Sequence, residues 1–175
     1  MLYAASGDYF SYKNIFTGED IFKVHQMYKD GEKIFKPNMN KIEKNLIDKE
    51  YLSVVTDAID AKAEYFAFGD DEWIQKMIAS GTLPILVRKP SLINGRRKFD
   101  GGITDPLPAE KAYEMGAKKI IVIRTYEKKF RRKLKLENYI GALLSRKYPK
   151  LRRALLNHDM TYNKALDFID NPPED

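Results

Sequence analysis

A carboxylate and two glycines stand where a predicted strand gives way to a turn. Asp100 follows the segment 96–99 and directly precedes Gly101 and Gly102. Asp and Gly are common in tight turns, so this motif alone indicates a turn more strongly than catalysis. Glycines nevertheless let backbone and substrate approach closely, and a carboxylate within hydrogen-bond reach of a hydroxyl can take its proton. Asp100 is therefore a candidate general base.

Three further segments flank this motif. Ala79-Ser80-Gly81-Thr82-Leu83-Pro84 lies upstream of it, Asp105-Pro106-Leu107-Pro108 begins the next predicted helix, and Gly116-Ala117 precedes the apolar run 120–125. Together with the paired strands predicted from residue 52 to 68, they cover most of residues 50–126. In combination and spacing they resemble the second catalytic block of the patatin-like phospholipases, which are lipid acyl hydrolases with a Ser–Asp dyad.

The resemblance implies a role for each residue of the motif. Asp100 would be the catalytic base, with Gly101, Gly102 and Ser80 beside the substrate, a phospholipid or another carboxylic ester. The implied fold class is α/β, a three-layer patatin-like fold whose largely parallel sheet is flanked by helices. The resemblance implies neither a metal nor a cofactor.

The nucleophile of the family is missing from this sequence. No G-x-S-x-G motif and no Gly-rich oxyanion loop occur in it, so the resemblance covers only the central and C-terminal portion and the fold is expected to be incomplete at the N-terminus. Ser6 lacks the flanking glycines of a nucleophile elbow, and Ser80 is predicted to end a helix. His25 and His158 are predicted as ordinary helix histidines rather than triad members. We therefore expect the chain alone to be inactive.

Composition limits the remaining function classes. The 175 residues are 43% hydrophobic and 32% charged, which predicts one folded domain over 1–175 and excludes general disorder. The absence of cysteine excludes disulfides and thiolate metal sites, and two histidines without an H-E-x-x-H pattern argue against zinc. Neither a signal peptide nor an apolar run of membrane-spanning length is evident, so we expect a cytoplasmic protein.

Positive charge is concentrated in one basic stretch, residues 124–153. It holds 12 Lys or Arg against Glu127 and Glu137, a net +10, whereas the whole chain carries +6 and the remainder therefore −4. A solvated helix face would explain the stretch. Aromatic residues among the cations also suit an anionic membrane surface, or nucleic acid through its phosphates. We favour the membrane and a peripheral location, through Lys128, Lys129, Arg131, Arg132, Lys133 and Lys135.

Periodicity and turn residues predict the elements that position these groups. Asn94-Gly95 predicts a tight hairpin, and the unbroken apolar run 119–125 predicts a strand buried on both faces of a parallel sheet. Without its first strand, that sheet would expose an edge through which chains could self-associate. The other predictions are helices at 17–31, 39–48, 105–115, 133–147 and 150–170, a helix begun by Asp70-Asp71-Glu72 and ended at Ser80-Gly81, and strands at 52–56 and 63–68.

Overall fold

A computed structural model of the chain describes residues 9–36, 38–69 and 72–173. Both helices and strands occur along it, so the fold is mixed α/β. The elements are α1 (Asn14–Thr17), α2 (Val24–Phe35), α3 (Met39–Asn45), β1 (Leu52–Asp57), β2 (Ala63–Ala67), α4 (Trp73–Ser80), β3 (Leu92–Ile93), β4 (Arg96–Asp100), a 3-10 turn (Gly101–Ile103), α5 (Ala109–Glu114), α6 (Leu136–Leu144), α7 (Pro149–Leu156) and α8 (His158–Asp170).

Both predicted hairpins are present. β1 pairs antiparallel with β2 from Leu52 opposite Ala67 to Thr56 opposite Ala63. Asn94 and Gly95 join β3 to β4 with φ angles of 53° and 72°, the positive values that a type I′ turn requires. The Asn94-Gly95 turn leads directly into β4, the strand that ends at Asp100.

The prediction of a largely parallel sheet is wrong for the described residues. The sheet has four strands in the order β2-β1-β4-β3, and every pairing between them is antiparallel. β1 meets β4 with Val55 opposite Asp100 and Asp57 opposite Lys98. The direction of β4 follows from its hairpin with β3, since a two-residue loop can only join antiparallel strands.

The predicted buried strand at 119–125 is also absent. These residues have no regular secondary structure, and the side chains of Ile121 and Ile123 are 90% and 92% exposed. A buried strand needs a neighbouring strand for its backbone and helices over its faces. No described strand pairs with this segment, so its apolar sequence alone does not bury it.

Helices cover both faces of the sheet. Ala79 of α4 packs with Val55 and Ile93, whereas Phe99 packs with Leu151 and Leu155 of α7. Phe99 lies opposite Thr56, the neighbour of Val55, and adjacent residues of a strand point to opposite faces. The α4 layer and the α6–α7 layer therefore lie on opposite sides of β1 and β4.

Several helix boundaries differ from the predictions. The helix predicted over 17–31 begins only at Val24 and continues past Gly31 to Phe35. α5 begins at Ala109 after Pro108, since Asp105 instead accepts a hydrogen bond from Tyr65 Oη at 2.5 Å. The predicted helix 150–170 is two helices that meet at Asn157. Ser6, Asp70 and Asp71 lie outside the described residues.

Within the described ranges, every helix is too short or too polar to cross a bilayer.

Candidate functional site

Asp100 is held by hydrogen bonds from three directions. Its backbone N–H donates to the Thr82 carbonyl at 2.8 Å, and its carbonyl accepts from Thr56 Oγ1 at 2.7 Å. Its carboxylate Oδ1 accepts from the Gly102 N–H at 2.7 Å. The strand, the loop after α4 and the turn together fix the carboxylate at the end of β4, as the sequence predicted.

A side chain would meet different groups at Gly101 and at Gly102. A Cβ on Gly101 would lie 2.2 Å from the Val54 carbonyl oxygen, so only glycine fits there. A Cβ on Gly102 would approach Asp100 Oδ1 to 3.0 Å. The close approach that the motif predicted is therefore real, but at Gly101 the approaching group is the backbone of β1.

Asp100 and Gly102 line a cavity of about 640 Å³ with a mostly apolar wall. Leu83 and Pro84 come from the loop after α4, Ile103 from the 3-10 turn, and Leu155 from α7. A few polar and charged groups, here including Asp100 and Glu137, in an apolar cleft of this size are a common arrangement in sites for small organic ligands. The residues that line the cavity are Leu83, Pro84, Ile85, Leu86, Asp100, Gly102, Ile103, Pro106, Leu107, Ile123, Arg124, Thr125, Tyr126, Arg132, Glu137, Asn138, Gly141, Leu155, His158 and Tyr162.

Burial makes Asp100 a stronger base than an exposed carboxylate. Removal from water raises its pKa above the ordinary value, and the hydrogen bond from Gly102 opposes that rise. A shifted carboxyl pKa in a cleft is typical of functional sites, and structural ion-pair networks also shift pKa values. Asp100 therefore combines a raised pKa with a position in a cleft.

His158, predicted as an ordinary helix histidine, lies in the wall of the Asp100 cavity. It is the first residue of α8 and is half-buried. Its Nδ1 lies 3.3 Å from Nδ2 of Asn138. Burial, and then the charge of Arg132, lower its pKa. Its helical context in the sequence carried no signal for this position.

Ser80 is not brought into the cavity wall. It ends α4, two residues before Thr82, whose carbonyl holds the backbone of Asp100. Ser80 therefore belongs to the segment that leads into the loop beneath Asp100, and it does not line the cavity. His25 lies on α2.

The structure separates the members of the basic stretch. Arg131 pairs with Asp167 at 2.5 Å and with Asp170 at 3.3 Å on the surface of α8. Its neighbour Arg132 is half-buried and lines the Asp100 cavity together with Arg124. The other named cations, Lys128, Lys129, Lys133 and Lys135, are exposed. Sequence alone placed all six on one anion-binding face.

No group of three or more His, Asp or Glu side chains among the described residues is arranged to hold a metal ion.

The chain is similar in sequence to a curated bacterial protein. Over 121 residues the chain is 28% identical to the uncharacterized protein YjjU of Escherichia coli (strain K12). The similarity covers 65% of this chain and 32% of that protein, so the chain spans about a third of the length of the curated relative it matches. No family model and no solved structure matches the chain. The function therefore has to be argued from the site itself.

Proposed function

We propose that Asp100 is the general base of a Ser–Asp dyad in a patatin-like lipid acyl hydrolase. The observation that carries the proposal is the partly buried carboxylate, held by Gly102 at 2.7 Å and facing a mostly apolar cavity. In this role Asp100 takes the proton of a serine hydroxyl, which then attacks an ester carbonyl. The serine and the oxyanion donors come from a segment that this sequence does not contain.

The apolar wall supports a substrate with a hydrocarbon portion. Leu83, Ile103 and Leu155 offer contact to an acyl chain, and burial of each methylene contributes about 0.8 kcal/mol. Such an enzyme belongs to lipid degradation, and it acts where its substrate is, at a lipid–water interface.

The first test is the DNA upstream of the Met1 codon. We expect an in-frame Gly-rich loop followed by G-x-S-x-G. A stop codon with no such motif would remove the dyad and overturn the proposal. If the motif is present, the extended protein should hydrolyse p-nitrophenyl butyrate, and this chain alone should not.

The second test is Asp100→Asn in that extended protein. Loss of the general base should lower kcat by about 10²–10⁴-fold. Asp60→Asn is the control, because Asp60 binds Arg96 at 2.5 Å outside the cavity. Full activity of the Asp100 variant would refute the assignment.

One observation favours a second function, a non-catalytic module that binds anionic membrane surfaces. The apolar side chains of α6 recur at helical spacing along one face and are exposed, with Leu136 at 74% and Leu143 at 64%. An apolar helix face flanked by cations is typical of helices that lie in the membrane interface. The exposed face consists of Leu136, Tyr139, Ile140, Leu143 and Leu144, and the exposed cations that flank it are Lys133, Lys135, Arg146 and Lys147.

Vesicle sedimentation tests this second function. The chain should pellet with anionic vesicles but not with neutral phosphatidylcholine vesicles, because each cation near the surface contributes about 1 kcal/mol. The variant Leu136→Gln/Leu143→Gln should lose pelleting, whereas Leu92→Gln, on the exposed side of β3, should keep it. Equal binding to both vesicles would argue against the membrane. Oligonucleotide binding with a steep salt dependence would point to nucleic acid instead.

The predicted self-association through a sheet edge stays a prediction. β2 and β3 are the outer strands of the described sheet, and a concentration-dependent mass in analytical ultracentrifugation would support it.

A further inference from the structure

Thr56 presents one hydroxyl to both ends of the turn that carries Asp100. Its Oγ1 donates to the Asp100 carbonyl at 2.7 Å and lies 2.8 Å from Oγ1 of Thr104. A carbonyl oxygen can only accept, so the single proton of the Thr56 hydroxyl goes to Asp100. The Thr104 hydroxyl must then donate to Thr56. The hydrogen bonds therefore run in one direction, from Thr104 through Thr56 to Asp100.

The turn closes around this hydroxyl. Asp100 precedes and Thr104 follows the 3-10 turn Gly101–Ile103, and the Thr104 N–H donates to the Gly101 carbonyl at 3.1 Å. Thr56 belongs to the neighbouring strand β1, and 0% of its surface is exposed. Solvent therefore does not reach its hydroxyl, and within the described chain the two ends of the turn use it.

The bond to the Asp100 carbonyl also bears on the direction of the Asp100 carboxylate. It fixes the peptide plane between Asp100 and Gly101, and the following plane carries the Gly102 N–H, which donates to the carboxylate at 2.7 Å. The Asp100 N–H is held separately, by the Thr82 carbonyl at 2.8 Å. The Thr56 hydroxyl therefore controls the side of Asp100 from which the carboxylate receives its hydrogen bond.

We propose that Thr56 is a positioning residue for Asp100, which holds the turn so that the Gly102 N–H stays on the carboxylate and the carboxylate faces the cavity. A base must lie within hydrogen-bond reach of the hydroxyl that it deprotonates, and misplacement by about 1 Å costs about 10²-fold in rate. Thr56 does not line the cavity, so it acts through the turn and not on the ligand. As a role in the Ser–Asp dyad, this inference rests on the proposed function.

Thr56→Val tests the role in the chain as it stands. Valine keeps the branched shape of threonine but cannot donate, so the Asp100 carbonyl and the Thr104 hydroxyl both lose their partner. Thr56→Ser keeps the donor. Thr161→Val is the matched control, because it is the same replacement and the Thr161 hydroxyl also donates to a backbone carbonyl, that of Asn157 at 3.2 Å. Thr161 lies on α8, outside the wall of the Asp100 cavity.

NMR follows the pH titrations of the Gly102 amide and the Asp100 carboxyl. In the unaltered chain, the Gly102 amide proton should shift as Asp100 ionises, because it is bonded to the carboxylate. Thr56→Val should lose that shift and raise the Asp100 pKa further, since the bond from Gly102 opposes the effect of burial. Thr56→Ser and Thr161→Val should keep both titrations. Unchanged titrations in a folded Thr56→Val, or the same changes in Thr161→Val, would overturn the proposal.

The Thr56 hydroxyl proton provides a readout that needs no variant. Because it is buried and hydrogen-bonded, it should exchange with water slowly enough to be observed, and it should show a scalar coupling across the hydrogen bond to the Asp100 carbonyl carbon. A hydroxyl proton in fast exchange with water would overturn the proposal even if Thr56→Val failed to fold.

In the extended protein, the same variants separate positioning from stability. Thr56→Val should lower kcat by about 10–10²-fold with little change in KM, since Thr56 does not line the cavity. Thr56→Ser should recover most of kcat, and Thr161→Val should keep it. An unaltered extended protein without hydrolase activity would refute the proposed function but leave the NMR result for the turn standing. Full kcat in Thr56→Val would refute the positioning role and leave Asp100 as the base.

Discussion

Asp100 and His158 line the same cavity from two different layers of the fold. The Asp100 carboxylate accepts from the Gly102 N–H at 2.7 Å at the end of β4, and His158 is the first residue of α8. The end of the sheet and the start of α8 therefore face one space. A ligand in that space would lie near both side chains.

His158 should make the protein less stable on mild acidification. Burial and then the charge of Arg132 lower its folded pKa below the ordinary 6.5. As pH falls through 6.5 the unfolded chain takes up a proton that the folded chain refuses, so the free energy of unfolding decreases. Urea unfolding between pH 7 and 5 should show this loss, and His158→Gln should remove that part of it.

The same titration can be followed directly by NMR. The ring signal of His158 should have its midpoint below 6.5, and Arg132→Gln should raise that midpoint because a neighbouring cation is gone. A midpoint at or above 6.5 in the unaltered chain would contradict the burial of this ring.

Asp100→Asn should stabilise this chain. Burial raises the folded pKa of Asp100 above its unfolded value, so the ionised carboxylate destabilises the fold at neutral pH, and stability is recovered as pH falls toward 3.8. The Asn side chain can accept the same Gly102 N–H without the charge. The thermal midpoint should therefore rise at pH 7, with a smaller gain at pH 4; a gain of about 1 kcal/mol appears as about 2–4 °C.

A lower midpoint for Asp100→Asn at pH 7 would show instead that the charge stabilises the turn. Higher stability of this chain together with loss of activity in the extended protein is the combination of effects expected when a functional group is replaced.

Gly101→Ala should be severely destabilising. The added Cβ would lie 2.2 Å from the Val54 carbonyl oxygen and 2.7 Å from Val54 Cβ, so β1 and the turn must separate. We expect a loss of about 3 kcal/mol in the free energy of unfolding, the upper part of the range for overpacking. Gly31→Ala is the control, because nothing lies within 4 Å of a Cβ there and alanine in a helix interior stabilises by about 0.5–1 kcal/mol. Similar effects of the two variants would contradict the close approach.

Lys98→Met should break a buried ion cluster near the site. Lys98 Nζ lies 2.8 Å from Asp57 and 2.7 Å from Glu64, and the side chains of Lys98 and Asp57 are 2% and 1% exposed. Asp57 then keeps Arg96 at 2.7 Å but loses its buried charged donor, so we expect a loss of about 1.5–3 kcal/mol in urea unfolding at pH 7. Lys62→Met, at an exposed position, should stay within about 0.5 kcal/mol.

The pH dependence of the Asp57 cluster has the opposite sign to that of Asp100. Burial alone would raise the Asp57 pKa, but hydrogen bonds from Lys98 and from the backbone N–H groups of Asp60 and Ile59 lower it below 3.8. Its stabilising contribution is therefore complete above pH 3.8 and is lost as pH falls through the lower folded value. In Lys98→Met the Asp57 pKa should rise, which carboxyl NMR shifts would show; an unchanged pKa would contradict the pairing.

The amino-acid sequence by itself determined the local features of this protein. Asn94 and Gly95 specify their hairpin because they accept positive φ. Asp and Gly likewise predict a turn at 100–102, although position 101 needs glycine because the backbone of Val54 lies against it. The periodicity of residues 73–80 likewise predicted α4, because one turn of a helix is a local repeat.

Only the tertiary structure decided what meets across the chain. The run Ile120 to Ile123 has the composition of a buried strand but is exposed, because burial depends on partners that periodicity does not reveal. Arg131 and Arg132 are chemically identical neighbours, yet one binds acidic side chains of α8 and the other lines the cavity. His158 reaches the Asp100 cavity for the same reason. The packing of α7 and α8 sets which distant side chains come together, and local sequence does not encode that packing.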